Sequence, residues 1–215
     1  KTNEVKTLSL PKEFIPLWNG ADRSPEYKNA MRYLKRRDIT QREILKYGIG
    51  YCEEGLYRYR IIIPSYTNDG TLNYFVGRDY YGGSMKYKNP RVSKDVVGFE
   101  SMIDWNQPVI LCEGVFDAIA IKRNAIPLFG KTLPPKLLKR LVQHKVKKLY
   151  LILDSDAQKD SMKIVDKLKS YQIDVNMITL KDKDPSELGF EKTINLIKQT
   201  KDSLSFSDIM KMKLG

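Results

Sequence analysis

The chain has 215 residues, 41% of them hydrophobic, and its 38 Lys and Arg outnumber 26 Asp and Glu to leave a formal charge of +12. That size suits one large domain or two lobes. No run of ~18 uncharged apolar residues occurs and residues 1–10 lack a signal-peptide core, so membrane insertion and secretion are unsupported and a soluble, cytoplasmic protein is expected. Cys52 and Cys112, with His144 as the single histidine, cannot compose a four-ligand structural zinc site, so no zinc is expected in this chain. Positive charge spread over both halves suits a polyanionic partner, and equally a solvated basic surface.

Residues 25–46 predict two short helices with a turn at Asp38, the second capped by Thr40 with Glu43 at the capping-box spacing. Gly48, Gly50 and Gly55 then break the helical pattern. Residues 57–64 are rich in aromatic and β-branched side chains, and the Asn68-Asp69-Gly70 turn joins strands expected over 60–65 and 73–78. After Pro90 the pattern changes to strands at 109–112, 148–153 and 175–180, with helices at 115–123, 137–143 and 161–171 between and around them. Uniformly apolar strands separated by helices predict a parallel sheet covered on both faces. Residues 191–215 read as a helical tail with a polar break near 201–203.

Each apolar strand is followed at once by acid: Glu113 after the first, Asp154 and Asp156 after the second, Asp182 and Asp184 after the third. The carboxyl ends of parallel strands share one edge, where ligand sites form. Asp117 lies four residues beyond Glu113, in the first turn of a predicted helix opened by Gly114. Crowded carboxylates repel unless cations neutralise them, and hard oxygen donors without Cys or His select Mg²⁺ or Mn²⁺. The competing account, that acids at strand ends are ordinary helix caps, weakens with three in succession. For Asp160, Asp166 and Asp174 it remains the better one, and His144 reads as a surface residue.

Glu113-Gly114-Val115-Phe116-Asp117 followed by Asp154-Ser155-Asp156, with Gly130 between, resembles the Toprim signature found in primases, topoisomerases and some nucleases. Upstream, Tyr33-Leu34-Lys35-Arg36-Arg37 and Tyr47-Gly48-Ile49-Gly50-Tyr51 are similar to the start of the bacterial, DnaG-type primase core. Arg60-Ile61-Ile62-Ile63-Pro64, Gly77-Arg78, Lys86-Tyr87-Lys88-Asn89-Pro90, Lys94 with Gly98, and Lys183-Asp184-Pro185-Ser186-Glu187 resemble later segments of that core, in the same order.

The resemblance, to a phage version of that core, implies an α/β protein. An N-terminal mixed α+β lobe with a small antiparallel sheet (1–105) is followed by a Rossmann-like parallel Toprim sheet flanked by helices (106–190) and a helical tail (191–215). It implies a nucleotidyltransferase that makes short RNA primers from ribonucleoside triphosphates on a single-stranded DNA template during replication. Glu113, Asp154 and Asp156 would be catalytic and, with Asp117 and Asp184, hold Mg²⁺ or Mn²⁺; Glu113 acting instead as an acid or base stays open. Arg60, Arg78, Lys86 and Lys94 are donors suited to template or nucleotide phosphates, and Tyr87 and Asn89 to nucleic acid. For Tyr87 a plain strand role is the slightly favoured reading. The pattern departs at Ser186, where the family has a second Asp, and near Lys159, where it has a glycine. Its zinc module is not recognisable and its later helical subdomain is reduced, so a fragment is expected, or a partner: a zinc-module subunit or a replicative helicase. Two rivals remain: another Toprim enzyme such as a nuclease, and a non-catalytic nucleic-acid-binding replication subunit.

Overall fold

The computed structural model describes residues 7–19, 24–153, 158–179 and 185–199, which fall into two compact units, Lys1–Ser93 and Lys94–Gly215. In the first unit both expected helices form, α1 (Pro25–Lys35) and α2 (Gln41–Lys46). Ser24 caps α1 by accepting the Tyr27 backbone N–H at 3.0 Å, and Pro25 at the first position needs no donor partner. Asp38 makes the turn with a left-handed φ of 55°. The Glu43 carboxylate then reaches back to the Thr40 N–H at 2.9 Å and to its hydroxyl, starting α2 where the capping-box spacing places it.

Four antiparallel strands follow in the order β1 (Phe14–Pro16), β2 (Gly50–Cys52), β3 (Arg60–Tyr66) and β4 (Leu72–Asp79). β3 and β4 are the expected hairpin. Its turn is held by the Asp69 carboxylate, which accepts the Thr71 N–H at 3.0 Å, and by Gly70 at φ 82°. Strands β1 and β2 were not anticipated, because three residues are too few to show an alternation and the glycines around 48–50 read as breakers. One face of this sheet buries Cys52, Tyr57, Ile62 and Phe75, against which Leu8, Leu10 and Phe14 pack.

Burial there, with the Glu13 carboxylate nearby, pushes the Cys52 thiol up to about 12. The thiolate is the nucleophile, so the native protein should resist maleimide or disulfide reagents at pH 8 and react only after unfolding. Rapid labelling of Cys52 in the native state would refute this placement.

The second unit carries β5 (Val109–Cys112), α3 (Val115–Ile121), β6 (Ala125–Pro127), α4 (Pro135–Gln143), β7 (Lys148–Leu153), α5 (Gln158–Lys169), β8 (Asp174–Thr179), α6 (Pro185–Leu188) and α7 (Phe190–Gln199). Its strands are all parallel, in the order β6-β5-β7-β8. Val109, Leu111, Leu149, Leu151 and Val175 project to the face covered by Leu137 and Leu141 of α4 and Val165 and Leu168 of α5. Helix α3, buried along its whole length, packs against α6 and α7. Both the antiparallel sheet and the helix-flanked parallel sheet therefore match the expected fold class.

Several bounds differ. α3 stops at Ile121 because Lys122 turns left-handed at φ 50°, and α5 begins at Gln158 rather than 161. Strand β6 was not foreseen; its Pro127 is tolerated because an edge strand leaves one side unpaired. The division between units follows Ser93, ahead of the boundary drawn from sequence at 105. Val97 belongs to the core of the second unit, and Gly98 lies so close to β6 that a Cβ would stand 2.4 Å from the Pro127 carbonyl oxygen. Of the expected tail, 191–199 is helical and the rest lies outside the described residues. No helix among the described residues is long and apolar enough to cross a membrane.

Candidate functional site

Parallel pairing aligns the carboxyl ends of the second unit's strands. β5 pairs with β6 on one side and β7 on the other, so the chain turns first one way from β5 and then crosses back past it. A crevice opens at such a switch point, outside the strand ends. Glu113 stands there. The register Cys112↔Ile152 sets it level with Leu153, the last residue of β7. Glu113 is half-buried, and its backbone carbonyl accepts the Gly130 N–H at 3.3 Å.

Asp117 is placed differently. It is buried, and its Oδ2 accepts the Gly114 N–H at 3.0 Å, so one carboxylate oxygen closes the N-terminus of α3. A capping role, the plainer of the two readings, is thus filled by that oxygen. Asp154, Asp156 and Asp184 lie outside the described residues. Among the described residues no three His, Cys, Asp or Glu side chains gather as a metal cluster. The carboxylates of Glu113 and Asp117 are hard oxygen donors, of the kind that Mg²⁺ or Mn²⁺ takes.

Lys94 belongs to this edge. Its Nζ donates to the Phe129 carbonyl at 2.8 Å, in the loop after β6 that Glu113 holds through Gly130. Phe129 (φ 54°) and Gly130 (φ 153°) turn that loop back across the strand ends. A cleft of about 310 Å³ there is lined by Lys94, Asp95, Phe129, Gly130, Lys131 and Thr132. Asp95 accepts the Lys136 N–H at 2.8 Å and so caps α4 from outside the helix. Lys131 carried no signal in the sequence, since only the loop's path brings it to the cleft. His144, by contrast, sits at the end of α4 with its ring stacked on Trp105 at 4.5 Å.

The remaining expected residues gather in the first unit at the end of the β3–β4 hairpin away from its turn. Arg60 pairs with Asp79 and Ile61 with Arg78. The segment carrying Lys86, Tyr87 and Asn89 lies along β4: Lys88 donates to the Gly77 carbonyl at 2.8 Å, and Asp79 to that of Lys86 at 3.0 Å. Gly77 permits this approach, since a Cβ would stand 2.4 Å from the Lys88 carbonyl oxygen. The Asn89 Oδ1 accepts the Gly77 N–H at 3.3 Å, so Asn89 fastens the segment.

Arg60 donates to the Met85 carbonyl at 3.0 Å, while Lys86 is exposed. The Arg78 guanidinium lies 4.6 Å from the centre of the Tyr87 ring and 5.8 Å from that of Tyr33. Its Nε is buried without a hydrogen-bond partner among the described residues. Tyr33, on α1, was not singled out for this site; its link to Arg78 spans 45 residues and leaves no local pattern. Tyr87 keeps 47% of its surface exposed.

The uncharacterized protein MG010 of Mycoplasma genitalium is 31% identical over 166 residues, covering 72% of this chain and 73% of that protein. The chain belongs to the MG010 family. Residues 110–189 of this MG010-family chain match the Toprim-like family and form a Toprim domain. The DNA primase of Thermotoga maritima is 25% identical over 230 residues, covering 83% of this chain and 40% of that protein. Among solved structures, the DnaG primase catalytic domain bound to single-stranded DNA aligns with a TM-score of 0.74 at 17% identity, over 92% of this chain and 83% of that one. The Escherichia coli primase catalytic core aligns at 0.71 and 17% identity, over 89% and 78%. The RNA polymerase domain of Mycobacterium tuberculosis DnaG in complex with double-stranded DNA aligns at 0.68 and 18% identity, over 85% and 76%. The MG010-family chain thus has the primase-core fold.

Proposed function

We propose that this chain is a primase-type nucleotidyltransferase that extends an RNA primer from ribonucleoside triphosphates on single-stranded DNA. The observation that supports this most is Glu113 at the switch point of a Toprim sheet, within a chain whose primase-core likeness extends over both units. In this reading Glu113, Asp154 and Asp156, with Asp117 and Asp184, would hold Mg²⁺ or Mn²⁺. When bound, the ions supply charge that lowers the barrier for attack of a 3′ oxygen on the α-phosphate and eases departure of pyrophosphate. Lys94, a cation fixed to the loop beside Glu113, orients nucleotide phosphates. Arg60, Arg78 and Lys86 hold the template backbone as donors with no acceptor capacity.

The test is incorporation of labelled ribonucleotide on bare single-stranded DNA with Mn²⁺ or Mg²⁺, with and without a zinc-module protein. Short RNA products that disappear on chelation are expected. No product under any of these conditions, together with Glu113-dependent cutting of the DNA, would replace this reading by a Toprim nuclease.

A further inference from the structure

Beside the basic residues at this end of the hairpin stands an aromatic group that none of the assignments above uses. The Arg58 guanidinium lies 4.3 Å from the centre of the Tyr59 ring, and the Tyr59 ring lies 4.4 Å from that of Tyr81. Tyr80 closes the group, 5.2 Å from Tyr81 and 6.3 Å from Tyr59. Tyr80 is buried, whereas Tyr81 leaves 51% of its surface to solvent and Arg58 is exposed. A group serving only the core would bury its rings; this one ends in an open aromatic face beside a cation.

Its parts are also held in place before any ligand arrives. Tyr59 adopts φ 61°, a left-handed conformation that tyrosine rarely takes. Both of its backbone groups are committed: its N–H donates to the Cys52 carbonyl at 2.9 Å, and its carbonyl accepts the Tyr80 N–H at 3.2 Å. The Asp79 carboxylate gathers the N–H groups of Tyr81, at 2.9 Å, and of Gly83, which sets the loop that carries Tyr81. The Tyr81 hydroxyl accepts from Asn29 Nδ2 at 2.8 Å, and Asn29 in turn accepts from Arg32 at 2.6 Å. Strain held by surrounding hydrogen bonds around an exposed group points to function rather than packing.

Position identifies the ligand. Tyr59 directly precedes Arg60 at the start of β3, and Tyr80 and Tyr81 follow Arg78 and Asp79 at the end of β4. Arg60, opposite Asp79, and Arg78, opposite Ile61, leave opposite faces of the hairpin, and a polyanion with a phosphate on either one at these strand ends presents its next unit to these rings. Unpaired bases offer an open π-face and bases inside a duplex do not, so a single strand fits this surface and a duplex does not.

We propose that Tyr59 and Tyr81, backed by Arg58, form a platform on which an unpaired base of single-stranded nucleic acid stacks, next to the cluster that holds its phosphates. This rests on the nucleic-acid reading of that cluster. The whole chain is titrated with a short oligothymidylate and with an abasic strand of equal length and charge. Wild type should prefer the strand that carries bases, and Tyr81→Ala and Arg58→Ala should reduce that preference by about fivefold to a hundredfold. Tyr81→Phe, which keeps the ring, should retain it. A strand carrying 5-iodouracil should crosslink to Tyr59 or Tyr81 in wild type. If wild type and Tyr81→Ala discriminate equally and no crosslink maps to these tyrosines, the platform is wrong while the phosphate cluster stands. If wild type binds neither strand, the platform and the nucleic-acid reading fail together.

Discussion

Glu113→Gln is expected to lower ribonucleotide incorporation by about a hundredfold or more while leaving the thermal unfolding midpoint nearly unchanged. The substitution keeps the shape of the side chain and removes its charge. Glu113 is half-buried at the end of β5, and the backbone carbonyl that receives the Gly130 N–H survives the substitution. What is lost is a carboxylate at the switch point, and an electrostatic contribution of only about 2.7 kcal/mol to the transition state corresponds to a hundredfold in rate. Calorimetry with Mn²⁺ supplies a readout independent of turnover, in which the variant should bind more weakly than wild type. Equal Mn²⁺ affinity and equal product from the two proteins would remove Glu113 from the site.

Arg78→Ala and Lys86→Ala should each weaken single-stranded DNA binding by roughly tenfold near 0.1 M salt, the effect of losing one charge-assisted contact. Each should also reduce the slope of log affinity against log salt by about 0.7 per lost phosphate contact. The two variants differ in a second respect. Lys86 is exposed and its removal leaves the fold alone, whereas Arg78 fills the space between the Tyr87 and Tyr33 rings, so its truncation also loses packing. Arg78→Lys separates the contributions, because it keeps the charge and loses the flat guanidinium that lies against the rings. Affinity and salt slope equal to wild type in both alanine variants would return these residues to an ordinary solvated surface.

Much of this protein was legible along the chain because the signals are local. Thr40 and Glu43 are three residues apart, Asn68-Asp69-Gly70 is a complete turn, and the apolar runs of β5 and β7 are bounded by the residues that end them. The acid after each run follows from the same punctuation, and with it the expectation of a cation. Strands β1, β2 and β6, three residues each, were not legible, because a segment that short becomes a strand only through its neighbour.

Sequence by itself therefore determined the types of the longer elements, the two kinds of sheet and the residues with chemistry to offer, since helix and strand periods, caps and turns are written in near neighbours. Only the tertiary structure decided which of those residues meet. It set Lys94 in the same unit as Glu113 through the loop at Phe129, gave one oxygen of Asp117 to the start of α3, and used Asn89 to fasten the segment bearing Lys86. It also brought Tyr33 to Arg78 and Tyr59 to Tyr81. Those contacts depend on strand register and on loops that turn back across strand ends, and pairings between residues distant along the chain have no period to betray them.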